Sequence, residues 1–171
     1  MARIDKDFLG LEVVSLEDAS VVGEVDALLI DENATVAGLV IDLGVYEAKV
    51  LAFSDILSIG EDAVMIETAA SVKPISQNIA LEEVAELDVH VTDTLVMTDR
   101  GDLVGIVGDY YVDPATGAIK GLEILREDSE EETEEEEAYL VPSSQVIRIG
   151  AELVMLKAGF EAAAVPSPDA L

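Results

Sequence analysis

Cysteine and tryptophan are both absent from the 171-residue chain. Without thiols there are no disulfides, no thiolate nucleophile and no cysteine-based metal site. Aromatic residues make up only 4% of a chain that is half apolar, so its core has to be built from Val, Leu, Ile and Ala. Basic residues are equally scarce: 9 Lys and Arg stand against 37 Asp and Glu, for a formal net charge of -28. Phosphate backbones and anionic lipid surfaces are held by Lys and Arg. Direct binding of nucleic acid is therefore not expected, nor is attachment to an anionic membrane. Long apolar runs are missing too. Runs such as Val36 to Ile41 fall far short of the ~20 residues of a spanning helix. The opening stretch MARIDKDFLG is charged and has no apolar signal core. The expectation is a soluble, cytoplasmic protein with no membrane insertion.

What the chain does have is an internal repeat. Val21 to Ile41 (VVGEVDALLIDENATVAGLVI) returns as Val104 to Ile124 (VGIVGDYYVDPATGAIKGLEI). Each copy has a Gly near its start (Gly23, Gly105), an Asp closing a first apolar run (Asp31, Asp113) and Gly-Leu in a second (Gly38-Leu39, Gly121-Leu122). Val13 to Asp31 aligns without gaps on Leu95 to Asp113 at an offset of 82, pairing Val14 with Val96. The offset grows to 83 at Gly38/Gly121 and to 90 at Ser54/Ser144, Ile59/Ile149 and Val64/Val154. Constant order with drifting offset is the signature of a duplicated unit with loop insertions. One insertion lies in the hairpin turn Asp113-Pro114-Ala115-Thr116-Gly117, where Pro fixes φ and Gly takes positive φ. The other replaces Gly44 to Glu47 with the acidic run Glu127 to Glu137.

Each unit reads as short strands separated by turn signals. In the first these are Leu11 to Ser15, Val21 to Ile30, Val36 to Leu43, Ala48 to Ala52 and Ala63 to Glu67. Ser54 to Ser58 reads as one helical turn with Ser54 as N-cap. The second unit follows the same plan, with a strand over Tyr139 to Pro142. The fold class is all-β: two small, strongly curved barrels in tandem. Their expected bounds are residues 6–67 and 87–157. Between them lies a linker, 68–86, with a short helical stretch that Asn78 could cap. A tail, 158–171, is expected to be disordered.

Leu9-Gly10, Val13-Val14, Gly23-x-Val25, Asp31, Gly38-Leu39-Val40, Phe53-Ser54-Asp55-Ile56 and Ile59-Gly60 carry a pattern. It continues with Gly105-x-Val107, Asp113-Pro114-x-x-Gly117, Gly121-Leu122, Pro142-Ser143-Ser144 and Ile149-Gly150. Over most of the chain this resembles the PRC-barrel family, known from the photosynthetic reaction centre H subunit and the RimM-type ribosome maturation factor. The resemblance implies a compact β-barrel without catalytic residues, which better-known members of the family use to dock on protein partners. No stretch of this sequence matches the transmembrane helix of the H subunit, and the RimM type has a different N-terminal domain, so neither specific role carries over.

Few residues offer chemistry. His90, the only histidine, has Asp88 and Asp93 nearby, but a lone His lacks the partners of a metal site or an acid–base pair. Asp26, Asp31 and Glu32 cluster at the first hairpin without the spaced ligands of a Ca²⁺ loop; Asp31 and Asp113 read as turn residues. No catalytic, metal or cofactor residue is expected. The acidic run (Glu127, Asp128, Glu130, Glu131, Glu132, Glu134, Glu135, Glu136 and Glu137) reads as a solvated, self-repelling loop, or else as a docking element for a basic protein or a loose, unselective reservoir for Ca²⁺ or Mg²⁺. Tyr110-Tyr111 stands where the first unit has Leu28-Leu29, and Val45-Tyr46 where the second has the acidic run. These unequal positions are expected to mark a contact covering apolar surface, either between the barrels or across a homodimer. The function expected is a non-enzymatic interaction or scaffold module. The alternative is an accessory factor in RNA metabolism or ribosome maturation, acting through a basic or ribosomal protein.

Overall fold

Strand character follows from a period of two in what is buried. Glu12–Ser15 and Leu95–Thr98 each bury their second and fourth residues, as do Ala63–Ile66 and Leu153–Leu156. Successive side chains on a strand point to opposite faces, so each of these strands has one inner and one outer row. The structure, a computed structural model, describes residues 3–44, 48–126 and 138–171. Its first half contains β1 (Arg3–Ile4), α1 (Asp5–Phe8), β2 (Glu12–Ser15), β3 (Ser20–Ile30), β4 (Val36–Asp42), β5 (Lys49–Ala52), β6 (Ile56–Ile59), β7 (Ala63–Ile66) and β8 (Lys73–Pro74). After α2 (Ile79–Glu86) the second half runs through β9 (Leu95–Thr98), β10 (Leu103–Val112), β11 (Ile119–Arg126), β12 (Ala138–Pro142), β13 (Val146–Ile149) and β14 (Leu153–Leu156).

The protein is mostly β, with two seven-stranded sheets. One has the order β6-β7-β2-β3-β4-β5-β8; the other runs β12-β11-β10-β9-β14-β13, with β1 added to β10. The two orders are the same topology. An antiparallel meander of four strands is followed by a 3₁₀ turn (Phe53–Asp55, Ser143–Gln145) and an antiparallel pair whose last strand returns parallel to the first. The helical turn expected over 54–58 is thus confined to Phe53–Asp55. Ser54 sits inside it and makes no cap hydrogen bond, because Ile56 already enters a strand paired with Ile66.

The pairing register also corrects the ungapped alignment. Val13 and Val96 each oppose the equivalent glycine (Gly23, Gly105) and the equivalent valine of the parallel strand (Val64, Val154). Both are fully buried. The offset here is therefore 83, so Val96 corresponds to Val13, not Val14, and the following turn is one residue shorter in the second half. With that offset the equivalence extends backwards to Phe8/Val91, Gly10/Asp93 and Leu11/Thr94. Gly10 N and Asp93 N donate to Val25 O and Val107 O, 2.9 and 2.8 Å away. Gly10 and Asp93 both have positive φ, +82° and +63°.

The segments outside the sheets are packed, contrary to expectation. In the stretch expected as a linker, β8 pairs with β5 and Val72 is buried. Asn78 caps α2, its Oδ1 accepting from Leu81 N at 3.1 Å. The tail expected to be disordered forms 3₁₀ turns at Phe160–Ala163 and Pro168–Ala170, and Val165 bridges to Leu140 on the edge of β12. Phe160, only 1% exposed, meets the Tyr139 ring edge-on at 5.9 Å. Unsatisfied edge strands attract such segments, and few apolar residues among Ala, Pro and Ser suffice to hold them there.

The halves are joined reciprocally. The buried residues of both sheets form one cluster. At the hairpin tips Thr35 pairs with Ala118; Val36 N donates to Gly117 O at 2.8 Å and Ile119 N to Ala34 O at 3.0 Å. Each half also lends its leading segment to the other. β1 pairs with β10, Arg3 opposite Val112 and Ile4 opposite Tyr111, whereas α2 packs on β3 and β4 with Leu81 over Gly38. The leader thus joins the second sheet just ahead of the expected first unit, and Lys6, at that unit's start, reaches Asp109 of β10.

Ala34 and Gly117 occupy the same place at this junction, with φ of +56° and +77°. An L-residue there carries strain of ~1–2 kcal/mol, partly offset in glycine by greater chain entropy. Ala34→Gly is expected to stabilise the protein by about 0.5–1 kcal/mol in urea unfolding. A loss of stability would show that the alanine methyl's packing outweighs its strain.

Candidate functional site

Between the halves lies a cleft of about 190 Å³, bounded by Asp26, Leu28 and Ile30 of β3, by residues 89–92, and by Leu9, Asp5 and Tyr110. The backbone brings these together because β3 and β10 are equivalent strands and each receives the other half's leader. Tyr110 is 4% exposed, and its hydroxyl donates to the Asp5 carboxylate. Burial, then the carboxylates of Asp5 and Asp109, hold the phenol protonated far above the ordinary tyrosine range. Asp5 is pushed up by burial and by Asp109, and is drawn back in part by the Tyr110 hydrogen bond. Lys6 Nζ lies 3.5 Å from Asp109 Oδ2, and Tyr110 N donates to Asp109 Oδ1 at 2.9 Å. The group therefore clasps the leader onto β10. Its elements are a neutral hydroxyl donor, a half-buried carboxylate and an ion pair.

Tyr111 points the other way, half-buried beside Gly121, with its pKa raised by burial and then by Glu123 and Asp109. Both adjacent tyrosines lie in the contact between halves, Tyr111 through strand pairing with Ile4, but only the Tyr110 side chain is buried in the cleft. His90 lies at the cleft rim with Nε2 2.9 Å from Asp88 Oδ1, both side chains largely exposed, and its carbonyl accepts from Thr94 Oγ1. Asp93 is the left-handed turn residue described above and takes no part in that pair. Asp31 Oδ1 accepts from Asn33 N and Thr35 N at 2.9 and 3.1 Å, and Asp113 Oδ1 from Ala115 N at 2.9 Å. Val45, Tyr46 and the acidic run 127–137 lie outside the described residues. Among the described residues no three His, Asp or Glu side chains come together as a metal site, and no helix is long and apolar enough to cross a membrane. Asp5 was not identifiable in the sequence, since its partner Tyr110 lies in the other half.

A second, open groove runs between Phe53, Ile56, Leu57 and Ser58 of the first half and the Pro114–Thr116 tip of the second. At the equivalent place on the opposite side, Arg148 reaches Glu32 at 3.9 Å. Ser58 stands where Arg148 does, so the first side has no such bridge. Both members of the pair are exposed, and its contribution to stability is small.

No protein-family model matches this chain, and no curated protein matches its sequence.

Two tests follow from this geometry. Asp5 has a folded pKa above its unfolded value, so the folded state binds that proton more tightly. Its contribution is fullest below about pH 4, the ordinary carboxylate range, and is lost as pH rises through the raised value. Asp5→Asn is therefore expected to melt at least as high as the wild type at pH 7 and to lose this advantage near pH 4. A variant less stable at pH 7 than at pH 4, relative to wild type, would reverse the sign.

The second test uses the equivalent pair Ser15 and Thr98. Thr98 Oγ1 accepts from Arg100 N and Asp102 N at 3.4 and 3.3 Å, whereas Ser15 Oγ is buried with no partner at hydrogen-bond geometry. Ser15 does lie near enough to Asp18 to help Ser20 lower its pKa. Leaving a buried hydroxyl unsatisfied is costly, and losing a satisfied one costs about 1 kcal/mol. Ser15→Ala should be neutral or stabilising and Thr98→Val destabilising by about 1 kcal/mol. Equal losses at both sites would mean that the Ser15 hydroxyl is used by Asp18.

Proposed function

We propose that the chain is a non-enzymatic protein-interaction module of the cytoplasm, built from two PRC-barrel-type units. The observation that carries this reading is the duplicated strand order: a four-stranded meander, a 3₁₀ turn, and a last strand returning parallel to the first. It adds a topology to the glycine, turn and Ser/Pro positions on which the resemblance rests. Proteins of that family use the unit to dock on other proteins. The alternative, an accessory factor in RNA metabolism or ribosome maturation working through a basic protein, is favoured by the charge of -28.

Affinity capture with the full chain and with a version lacking residues 127–137 tests the reading. A defined protein recovered in stoichiometric amount supports it, and ribosomal proteins in that position would favour the alternative. Turnover of a small molecule by the purified chain, abolished by substitution at a single side chain, would refute it.

A further inference from the structure

The two sheets can be compared position by position on their outer faces. In the second sheet a cross-strand row runs Leu153, Leu95, Ile106, Leu125. The same positions of the first sheet hold Ala63, Glu12, Glu24 and Asp42. The neighbouring row is apolar in both: Met155, Met97, Leu103 against Met65, Val14, Val21. The inner rows match, with Val13/Val96, Val25/Val107 and Val64/Val154 all buried. At these rows the difference is thus on the outside, where three carboxylates in one half are three large aliphatic side chains in the other. Leu95 and Leu103 are 44% and 53% exposed, while Ile106, Leu125 and Leu153 are half-buried.

Folding does not call for these aliphatic residues, since the first sheet has the same topology with carboxylates in their place. A contiguous apolar face on a soluble surface marks an interaction site. Charge decides what covers it. A second copy would bring another -28 against the first, and strong like charge keeps proteins apart. A cationic partner would be steered to this chain by that same charge and anchored by the apolar row.

We propose that the outer face of β14, β9, β10 and β11 docks a partner protein through an apolar segment flanked by Lys or Arg. The proposal rests on the reading of the chain as an interaction module, and it names the face and the partner's chemistry. The probe is a labelled, amphipathic Leu/Lys helical peptide of about 18 residues, long enough to present one apolar face. Its binding to the full-length protein is read by fluorescence anisotropy, with poly-lysine as the charge-only control. The variant is Leu95→Glu/Ile106→Glu/Leu125→Asp, which installs the first half's own residues at the same register.

The two explanations predict opposite signs. The variant is more acidic, so binding by charge alone would tighten. Docking on the apolar row predicts binding about tenfold weaker or more, with poly-lysine unaffected or bound more tightly. The reciprocal variant Glu12→Leu/Glu24→Ile/Asp42→Leu should raise the stoichiometry from one peptide to two, a readout that survives if the first variant folds poorly. Equal or tighter binding of the Leu/Lys peptide to the first variant overturns the proposal, as does failure of the wild type to bind it. So does a wild-type dimer that the first variant converts to monomer, which would assign the face to a second copy. A natural partner captured equally by wild type and variant would leave the module reading standing while removing this face from it.

Discussion

Replacing Gly105 by alanine is expected to cost more than about 3 kcal/mol, enough to disrupt the second half. Gly105 lies in β10 opposite Arg126 of β11. An added Cβ would collide with the Leu125 carbonyl oxygen and come within 2.9 Å of its carbon. Backbone cannot step aside as a side-chain end can, so two strands would have to separate there. Overpacking against side chains typically costs ~1–3 kcal/mol, and this contact exceeds that case. Gly23, the equivalent residue, provides the comparison: its Cβ would lie 2.5 Å from Asp42 O and 2.8 Å from the Ile41 and Leu43 side chains. Gly23→Ala should be destabilising but less so. Gly150→Ala, whose nearest neighbour would be 3.4 Å away, should stay within about 1 kcal/mol of wild type. Urea unfolding of the three variants measures the order, and a Gly105→Ala protein as stable as Gly150→Ala would contradict the register assigned to β10 and β11.

The second large effect is expected on separating the halves. Units of this size have marginal cores, and here the buried cluster is shared. The first half alone would keep a leader whose strand partner, β10, is gone, and the second alone would lack β1, α1 and the acceptor of the Tyr110 hydroxyl. Each half should melt about 10–20 °C below the intact chain, corresponding to a loss of ~2–3 kcal/mol in a domain of this length. Tyr110→Glu in the intact chain should act in the same direction by placing a carboxylate against Asp5 in a buried site, whereas Tyr111→Glu, on the more open face, should do much less. Separate halves that melt where the whole protein does would mean that the shared cluster and exchanged leaders contribute nothing.

Hairpins were legible in the sequence because the residues that make them are chemically constrained. Gly23 and Gly105 are required by close strand approach, Asp31 and Asp113 by side-chain hydrogen bonds within the turn, and Gly117 by positive φ. Other equivalences were hidden because their constraint is looser. Any apolar residue can fill the position of Phe8 and Val91, and Asp93 tolerates the conformation for which Gly10 is best suited. Adjacent valines at 13 and 14 let the alignment slip by one residue, and only hydrogen-bond pairing fixes which of them faces inward. The tail was obscured by its Ala, Pro and Ser content, although Phe160 alone supplies a buried anchor. At the candidate site, strand alternation places the adjacent tyrosines on opposite faces, but does not say which of them turns toward the other half. Asp5 could not be found, because the leader's crossing to the other half leaves no local trace.

Thr35 and Ala118 hold the same place in the two repeats, yet they pair with each other, and the flanking hydrogen bonds are exchanged in kind. Such an isologous contact is one that a single-repeat chain can make with its own copy. Fusion of the two copies replaces a bimolecular association with an intramolecular one, at an effective concentration on the order of millimolar. It also ends the requirement that every surface position serve twice. A substitution in a symmetric pair appears on both sides, whereas in the fused chain it appears once. Only then can one outer row hold Glu12, Glu24 and Asp42 while its counterpart holds Leu95, Ile106 and Leu125.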